Sequence, residues 1–321
     1  MRRTAALMGT IVTIHVVDLE PARPEDAVEQ TIERAFEWFR LVEATCTRFD
    51  PASELMTLTG RVGLATAASD ILYAAVEVAM AVAAASEGAF DPTVGRAMQQ
   101  RGFDRNYGDG RIVQTPEAAA NVSYRDVQLD PAQKTITITR PLVLDLGAVA
   151  KGLAVDLAAR ELQPFEHFAI DAGGDLYLSG RNEIGTLWRI GIRHPRADRQ
   201  LLATLTVSDC AVCTSGDYER DGAGTSAGHH LLDPRTGHAA TSIASATVVA
   251  GSAMLADAMA TAAFVLGARQ GVSFLERHGV DGLLVTPLLE QYATEGMSRQ
   301  FGLNDAVSGD WSGGATILPN A

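Results

Sequence analysis

The order of hydrophobic periodicities along this chain constrains its fold more than any single motif. Two helical patterns come early. Residues 25–46 carry Val28, Ile32, Phe36, Phe39 and Val42 at helical spacing with Glu and Arg between them, and Ser69 to Ala85 reads as a second helix with Ser69 as N-cap and Gly88 as stop. Residues 7–17 alternate like a strand, and two short strand patterns lie around Val127 and over Thr135 to Thr139. From His167 onward short strands dominate: His167–Ile170, Leu176–Leu178, Trp188–Ile192, Leu201–Val207, Ala211–Thr214 and Ser245–Ala250. Ser252 to Leu266 is helical, Gly267 interrupts, a further helix runs to His278, and Gly282 to Thr286 is expected to be the last strand. Turn signals at Asp171-Ala-Gly-Gly and His194-Pro195 join consecutive strands without room for helical crossovers. This irregular alternation predicts an α+β fold, a single mixed domain of antiparallel-rich sheets and packed helices, over a doubly wound sheet. No repeat and no long linker divides the chain, so one domain is expected over residues 1–302, with the Gly-, Ser-, Asn- and Asp-rich residues 303–321 as a loose tail.

With 47% hydrophobic and 20% charged residues among 321, the chain is long and apolar enough for a globular core. A net charge of −13 argues against a nucleic-acid surface, which needs clustered Lys and Arg, but leaves room for a small anion held locally, often with a metal. The three cysteines, Cys46, Cys210 and Cys213, cannot form a disulfide framework. Cys210 and Cys213 lie in a strand pattern, where an odd separation points them to opposite faces, so no chelating or redox pair is expected. The start MRRTAALMGTIVTIHVV lacks the apolar run of a secretory signal and a lipidation cysteine, and the longest apolar stretches are broken by Glu or Ser. No membrane span is expected. The compartment is read as cytoplasmic, or as periplasmic and membrane-anchored if the natural chain starts further upstream.

Several segments can carry chemistry. In LVLDLGAVAKGLAVD, residues 142–156, an apolar run reads as a strand entering a Gly turn that opens a helix. Unpaired N–H groups at such a helix start attract a phosphate, Lys151 adds a mobile positive charge, and Asp145 is an acceptor for a sugar or base. The alternative is an ordinary corner with a solvated lysine. In SAMLADAMATAAFVLG, Asp257 and Thr261 stand four residues apart on one helical face. They are oxygen donors suited to a hard cation such as Mg²⁺, or members of a structural pairing. GHHLLDPRTGHAA joins adjacent histidines to an Asp-Pro-Arg-Thr-Gly turn, and if His229 to Leu232 is a strand only one imidazole faces the core, as a candidate base or a structural group. GAFDPTVG offers Phe90 for stacking and Asp91 as acceptor, or simply a helix end and turn, and RFDPASELMTL is a similar turn into a helix.

Taken in order, LMGTIVTI, RFDPASELMTL, GAFDPTVG, LDLGAVAKGLAVD, TSGDYER, HHLLDPRTG and ADAMATA resemble the FAD:protein FMN transferase family, the ApbE-type flavin transferases, over roughly residues 5–287. The resemblance implies an ApbE-type, T-fold-like α+β domain that takes FAD as substrate with Mg²⁺, moves FMN onto a Thr or Ser hydroxyl of a partner protein carrying a flavinylation motif, and releases AMP. Some members of that family hydrolyse FAD to FMN and AMP, and a flavin carrier without turnover is the third reading. Matched by motif, the metal falls to Asp257, Thr261 and the carbonyl of Ala148. Flavin and adenine contacts fall to Met8, Phe49, Ala89, Phe90, Asp91, Asp145, Lys151 and Leu231. The base falls to His230, with His229 as the alternative register. Residues 221–228, DGAGTSAG, have the composition of the acceptor motif in the wrong order and read as a hairpin tip.

Overall fold

The alternation at the amino terminus folds as a hairpin. In a computed structural model that describes residues 1–17, 23–105, 110–113, 116–218, 229–301, 304–305 and 315–317, β1 (Arg2–Leu7) and β2 (Thr10–Val16) pair antiparallel. Met8 and Gly9 turn between them at φ 52° and 72°. The strand expected over residues 7–17 is β2, and β1 before it escaped notice because its polar, half-exposed residues carry no apolar stripe. Helix α1 (Glu25–Cys46) keeps its expected bounds and buries Val28, Ile32, Phe36, Phe39 and Val42. Helix α2 (Glu54–Thr59) begins at Ser53, whose hydroxyl accepts from the Met56 amide. After β3 (Thr66–Ala67), helix α3 (Asp70–Ala85) begins at Ser69, which accepts from the Leu72 amide, and Gly88 follows its end at φ 82°. Helix α4 (Gly95–Gln100) precedes β4 (Val127–Asp130) and β5 (Thr135–Ile138), and β3, β5 and β4 form a small antiparallel sheet.

Leu142–Leu144 is not a strand. The segment is buried and extended, but it makes only one parallel bridge, between Val143 and Val94. The Asp145 amide donates to Pro92 O and the Gly95 amide to Val143 O, so the segment is pinned under a turn instead of entering a ladder. Its composition matches that of a buried strand, which is why periodicity misassigned it.

Helix α5 (Gly147–Glu161) leads into β6 (Phe168–Ala172), β7 (Leu176–Ser179), β8 (Trp188–Arg193), β9 (Leu201–Val207) and β10 (Cys210–Gly216). A short hairpin, β11 (Leu232–Asp233) and β12 (His238–Ala239), is followed by β13 (Ser245–Ala250), α6 (Ala253–Leu266), α7 (Ala268–Arg277) and β14 (Asp281–Val285). β14 is not last, since β15 (Gln291–Ala293), α8 (Glu295–Phe301), β16 (Asn304–Asp305) and β17 (Ala315–Ile317) follow. The boundary at residue 302, most of the tail and the DGAGTSAG segment lie outside the described residues.

The main sheet runs β1-β2-β6-β7-β10-β13-β14-β15, and every neighbouring pair is antiparallel. Helices α1, α3, α5 and α6 bury one face, and the sheet β16-β9-β8-β17 covers the other around Trp188, Ile190 and Leu205. The mixed antiparallel-rich α+β architecture matches expectation. Cys213 belongs to the helix-side core and Cys210 to the sheet-side core, as their odd spacing requires. Among the described residues no helix is long and apolar enough to cross a membrane.

The packing of α5 on α6 positions the site. A Cβ on Gly152 would lie 2.4 Å from Ala253 O, so only glycine allows the backbones this close. One turn further along α5, Asp156 accepts from Ser252 Oγ at 2.7 Å, the Ala253 amide at 2.7 Å and the Met254 amide at 3.0 Å. An acid from one helix thus caps the start of the other. The two helices run antiparallel, which brings the opening of α5 level with the middle of α6.

Candidate active site

At that level lies a cavity of about 430 Å³. Its walls include Phe49, Ala89, Phe90, Asp91, Asp145, Ala148, Lys151, His230, Leu231, Asp257 and Thr261. Met8 lines an adjoining side pocket of about 100 Å³ that shares Phe49, Asp145 and Lys151 with it. The structure therefore places all these candidates except Met8 around one cavity, with Met8 in the neighbouring pocket and His229 lining neither, although several local roles differ from those expected.

The oxygen cluster is the clearest case. Asp257 is 6% exposed, and Thr261 lies one turn along α6 with its Oγ1 3.1 Å from Ser215 Oγ at the end of β10. Ala148 faces the same cavity from the first turn of α5. Carboxylate, hydroxyl and main-chain carbonyl oxygens are the donors a hard cation such as Mg²⁺ takes, with room left for ligand phosphates. Among the described residues no three His, Cys, Asp or Glu side chains cluster here, so a cation would have to draw on hydroxyl and main-chain oxygens beside the one carboxylate. The nearby Cys213 thiol is held well above its ordinary pKa by burial and by Asp257, so it stays protonated. The donor set fits Mg²⁺.

Lys151 is not mobile. Its ammonium forms a hydrogen-bonded ion pair with Asp175, which is 1% exposed. Asp175 follows the turn between β6 and β7, where Gly173 stands at φ 69° and a Cβ on it would meet Thr10 Oγ1 at 2.1 Å. Sequence reading marked this turn but missed its acid. An Asp directly after paired glycines at a strand end was the available signal.

Asp145 is not an open acceptor either. Its Oδ2 accepts from Arg48 Nε at 2.7 Å and its Oδ1 from the Gly147 amide at 2.8 Å. The Val149 and Ala150 amides donate to Leu146 O. The start of α5 is thus partly satisfied by its own loop and is a narrower phosphate cradle than the motif suggests. Arg48, 5% exposed, also donates to Phe103 O at 2.5 Å, and its guanidinium sits 4.2 Å above the Phe49 ring. This fixes Phe49 as a flat, polarised wall. Nothing in the isolated turn RFDPASELMTL signalled that pairing.

Asp91 uses both oxygens on the turn. Oδ1 accepts from the Thr93 amide and hydroxyl at 2.9 and 2.7 Å, and Oδ2 from the Tyr124 amide at 2.9 Å. Burial raises its pKa against those bonds. Its side chain shapes the loop, and Phe90 presents the apolar wall.

The adjacent histidines separate. β11 begins only at Leu232, so the strand reading of His229–Leu232 does not hold. His229 Nδ1 accepts from the Leu231 amide at 3.2 Å, and its ring meets Phe264 edge-on at 5.8 Å, which turns it toward α6. His230 lines the cavity, its ring 6.4 Å from that of Phe103. Arg193 and Tyr218 also line the cavity; Tyr218 lies in the TSGDYER segment but was given no role there, and Arg193 did not stand out in the sequence.

The ApbE family profile matches residues 8–284. The FAD:protein FMN transferase of Treponema pallidum is 32% identical over an alignment covering 95% of this chain and 89% of that protein. The ApbE protein of Thermotoga maritima superposes with a TM-score of 0.78 at 28% identity, covering 92% of this chain and 97% of that one. The flavin transferase ApbE of Vibrio cholerae also gives 0.78, at 25% identity, over 93% and 98%.

Proposed function

The chain belongs to the ApbE family, and on that premise we propose that its cavity carries FMN from FAD to a Ser or Thr hydroxyl of an acceptor protein bearing a flavinylation motif. The acceptor oxygen bonds to the phosphorus of the FMN half, the bond from that phosphorus to the bridging oxygen breaks, and AMP leaves with that oxygen and its charge. The observation that carries the reading is the single cavity shared by the α6 oxygen cluster, the opening of α5 and His230.

Asp257 and Thr261 with the carbonyl of Ala148 would hold Mg²⁺, which when bound neutralises charge on the diphosphate. The remaining roles belong to the chain. His230 takes the proton of the attacking hydroxyl, a contribution of about 10²–10⁴ in rate. Lys151, anchored by Asp175, supplies fixed positive charge to a non-bridging oxygen, a preorganised interaction. Phe49, flattened under Arg48, and Phe90 offer ring faces to the planar parts of FAD, while Met8, Ala89 and Leu231 fill the apolar margins.

The test is mass spectrometry of an acceptor fragment incubated with the protein, FAD and Mg²⁺, with AMP measured in parallel. A mass gain equal to FMN, with AMP release that depends on the acceptor, is the expected result. AMP released equally fast without acceptor would make the protein an FAD pyrophosphatase. Bound FAD with no AMP at all would make it a carrier.

A further inference from the structure

Among the described residues three Lys or Arg side chains line the cavity: Arg48, Lys151 and Arg193. Two of them are paired with acids in the wall. Arg48 is bound to Asp145, and Lys151 to the buried Asp175. Arg193 differs. Its acidic partner, Asp198 at 3.2 Å, has a side chain 94% exposed, so water and salt screen that pair heavily. The buried Nε of Arg193 has no hydrogen-bond partner among the described residues. That shielded N–H therefore adds nothing to the compensation of the Arg193 charge by the chain.

The side chain is nevertheless held in place. Its guanidinium lies 4.9 Å from the centre of the Tyr218 ring. That ring crosses the end of β10 where residue 216 is glycine, since a Cβ there would meet Tyr218 Cζ at 2.6 Å. The loop leaving β8 is clamped to the same strand end by Arg196, which donates to both oxygens of Asp217 at 2.7 and 2.6 Å. The cation is thus fixed in position and weakly compensated, on a wall continuous with Ser215 and Thr261.

We propose that Arg193, seated on Tyr218, is a binding residue for the diphosphate of FAD and donates to a non-bridging oxygen, in addition to Lys151. This rests on the FAD-dependent reading above. The planar guanidinium fork suits phosphate oxygens and adds a cation to a wall that also carries the hydroxyls of Ser215 and Thr261.

The test compares dissociation constants of FAD and of riboflavin, which lacks phosphate, by flavin fluorescence with the full chain in Mg²⁺ buffer. Arg193→Met should weaken FAD about tenfold or more, the equivalent of one charge-assisted hydrogen bond, and leave riboflavin within about twofold. Arg193→Lys, which keeps the charge and disturbs the packing least, should recover part of the loss. Asp198→Asn should leave FAD binding unchanged or tighter. Equal weakening of FAD and riboflavin would reduce Arg193 to a packing role and overturn the proposal. So would an unchanged FAD constant with a raised KM for the acceptor, which would make the acceptor the ligand. Failure of the unaltered protein to bind FAD would instead overturn the reading on which the proposal rests.

Discussion

Two carboxylates of the α5–α6 pair, Asp156 and Asp257, are both partly or fully buried, and their surroundings differ. Asp156 accepts from a hydroxyl and two amides and closes the start of α6. Its charge is spent on the fold. One turn further along α6, Asp257 is buried in the wall of a cavity, beside the hydroxyls of Thr261 and Ser215 and the first turn of α5. Burial alone does not separate structural from functional acids. What separates them is whether the surrounding donors belong to the chain or leave space for something else.

Three substitutions sharpen or break that contrast. The largest effect is expected from Asp257→Asn, which should lower FMN transfer by at least about a hundredfold, in keeping with the loss of a metal-holding charge, while thermal stability stays level or rises. A variant that loses stability but keeps its rate per folded molecule would make Asp257 the structural acid. Next, Asp156→Ala should cost about 2–4 kcal/mol of unfolding free energy in urea, from the loss of a cap and its charge-assisted bonds. Its rate per folded molecule should stay near that of the parent, and a large drop in rate without destabilisation would erase the distinction. The smallest effect is expected from Gly152→Ala. Forcing a methyl against Ala253 O should cost about 1–3 kcal/mol and raise the Mg²⁺ concentration for half-maximal transfer, because the donors ride on two helices that must then part. An unchanged Mg²⁺ requirement would show that the helix spacing does not govern the donor set.

The same contrast explains what could be read from the sequence. Helices α1, α3 and α6 were legible almost to the residue because apolar spacing and Ser caps report on local physics. β1 and β15 were not, because short, partly exposed strands take their stability from neighbours and not from their own pattern. Leu142–Leu144 was misread because burial on all sides gives an extended segment the composition of a strand. At the site, motif residues were found in order, but their partners were not. Arg48 meets Asp145 across 97 positions, and Arg196 meets Asp217 across 21. Such pairings exist only once the sheet and helices have assembled. The expectation of a mobile Lys151 failed for the same reason, since Asp175 becomes its neighbour only through the turn between β6 and β7.

The cavity draws its wall from Gly9 near one end of the chain and from Thr261 far toward the other. During synthesis this cavity cannot be complete until α6 has left the ribosome, so its formation waits on elements far apart in sequence. A ligand held there would bridge strands, loops and helices that are distant in sequence, and its binding free energy would oppose unfolding of the molecule as a whole.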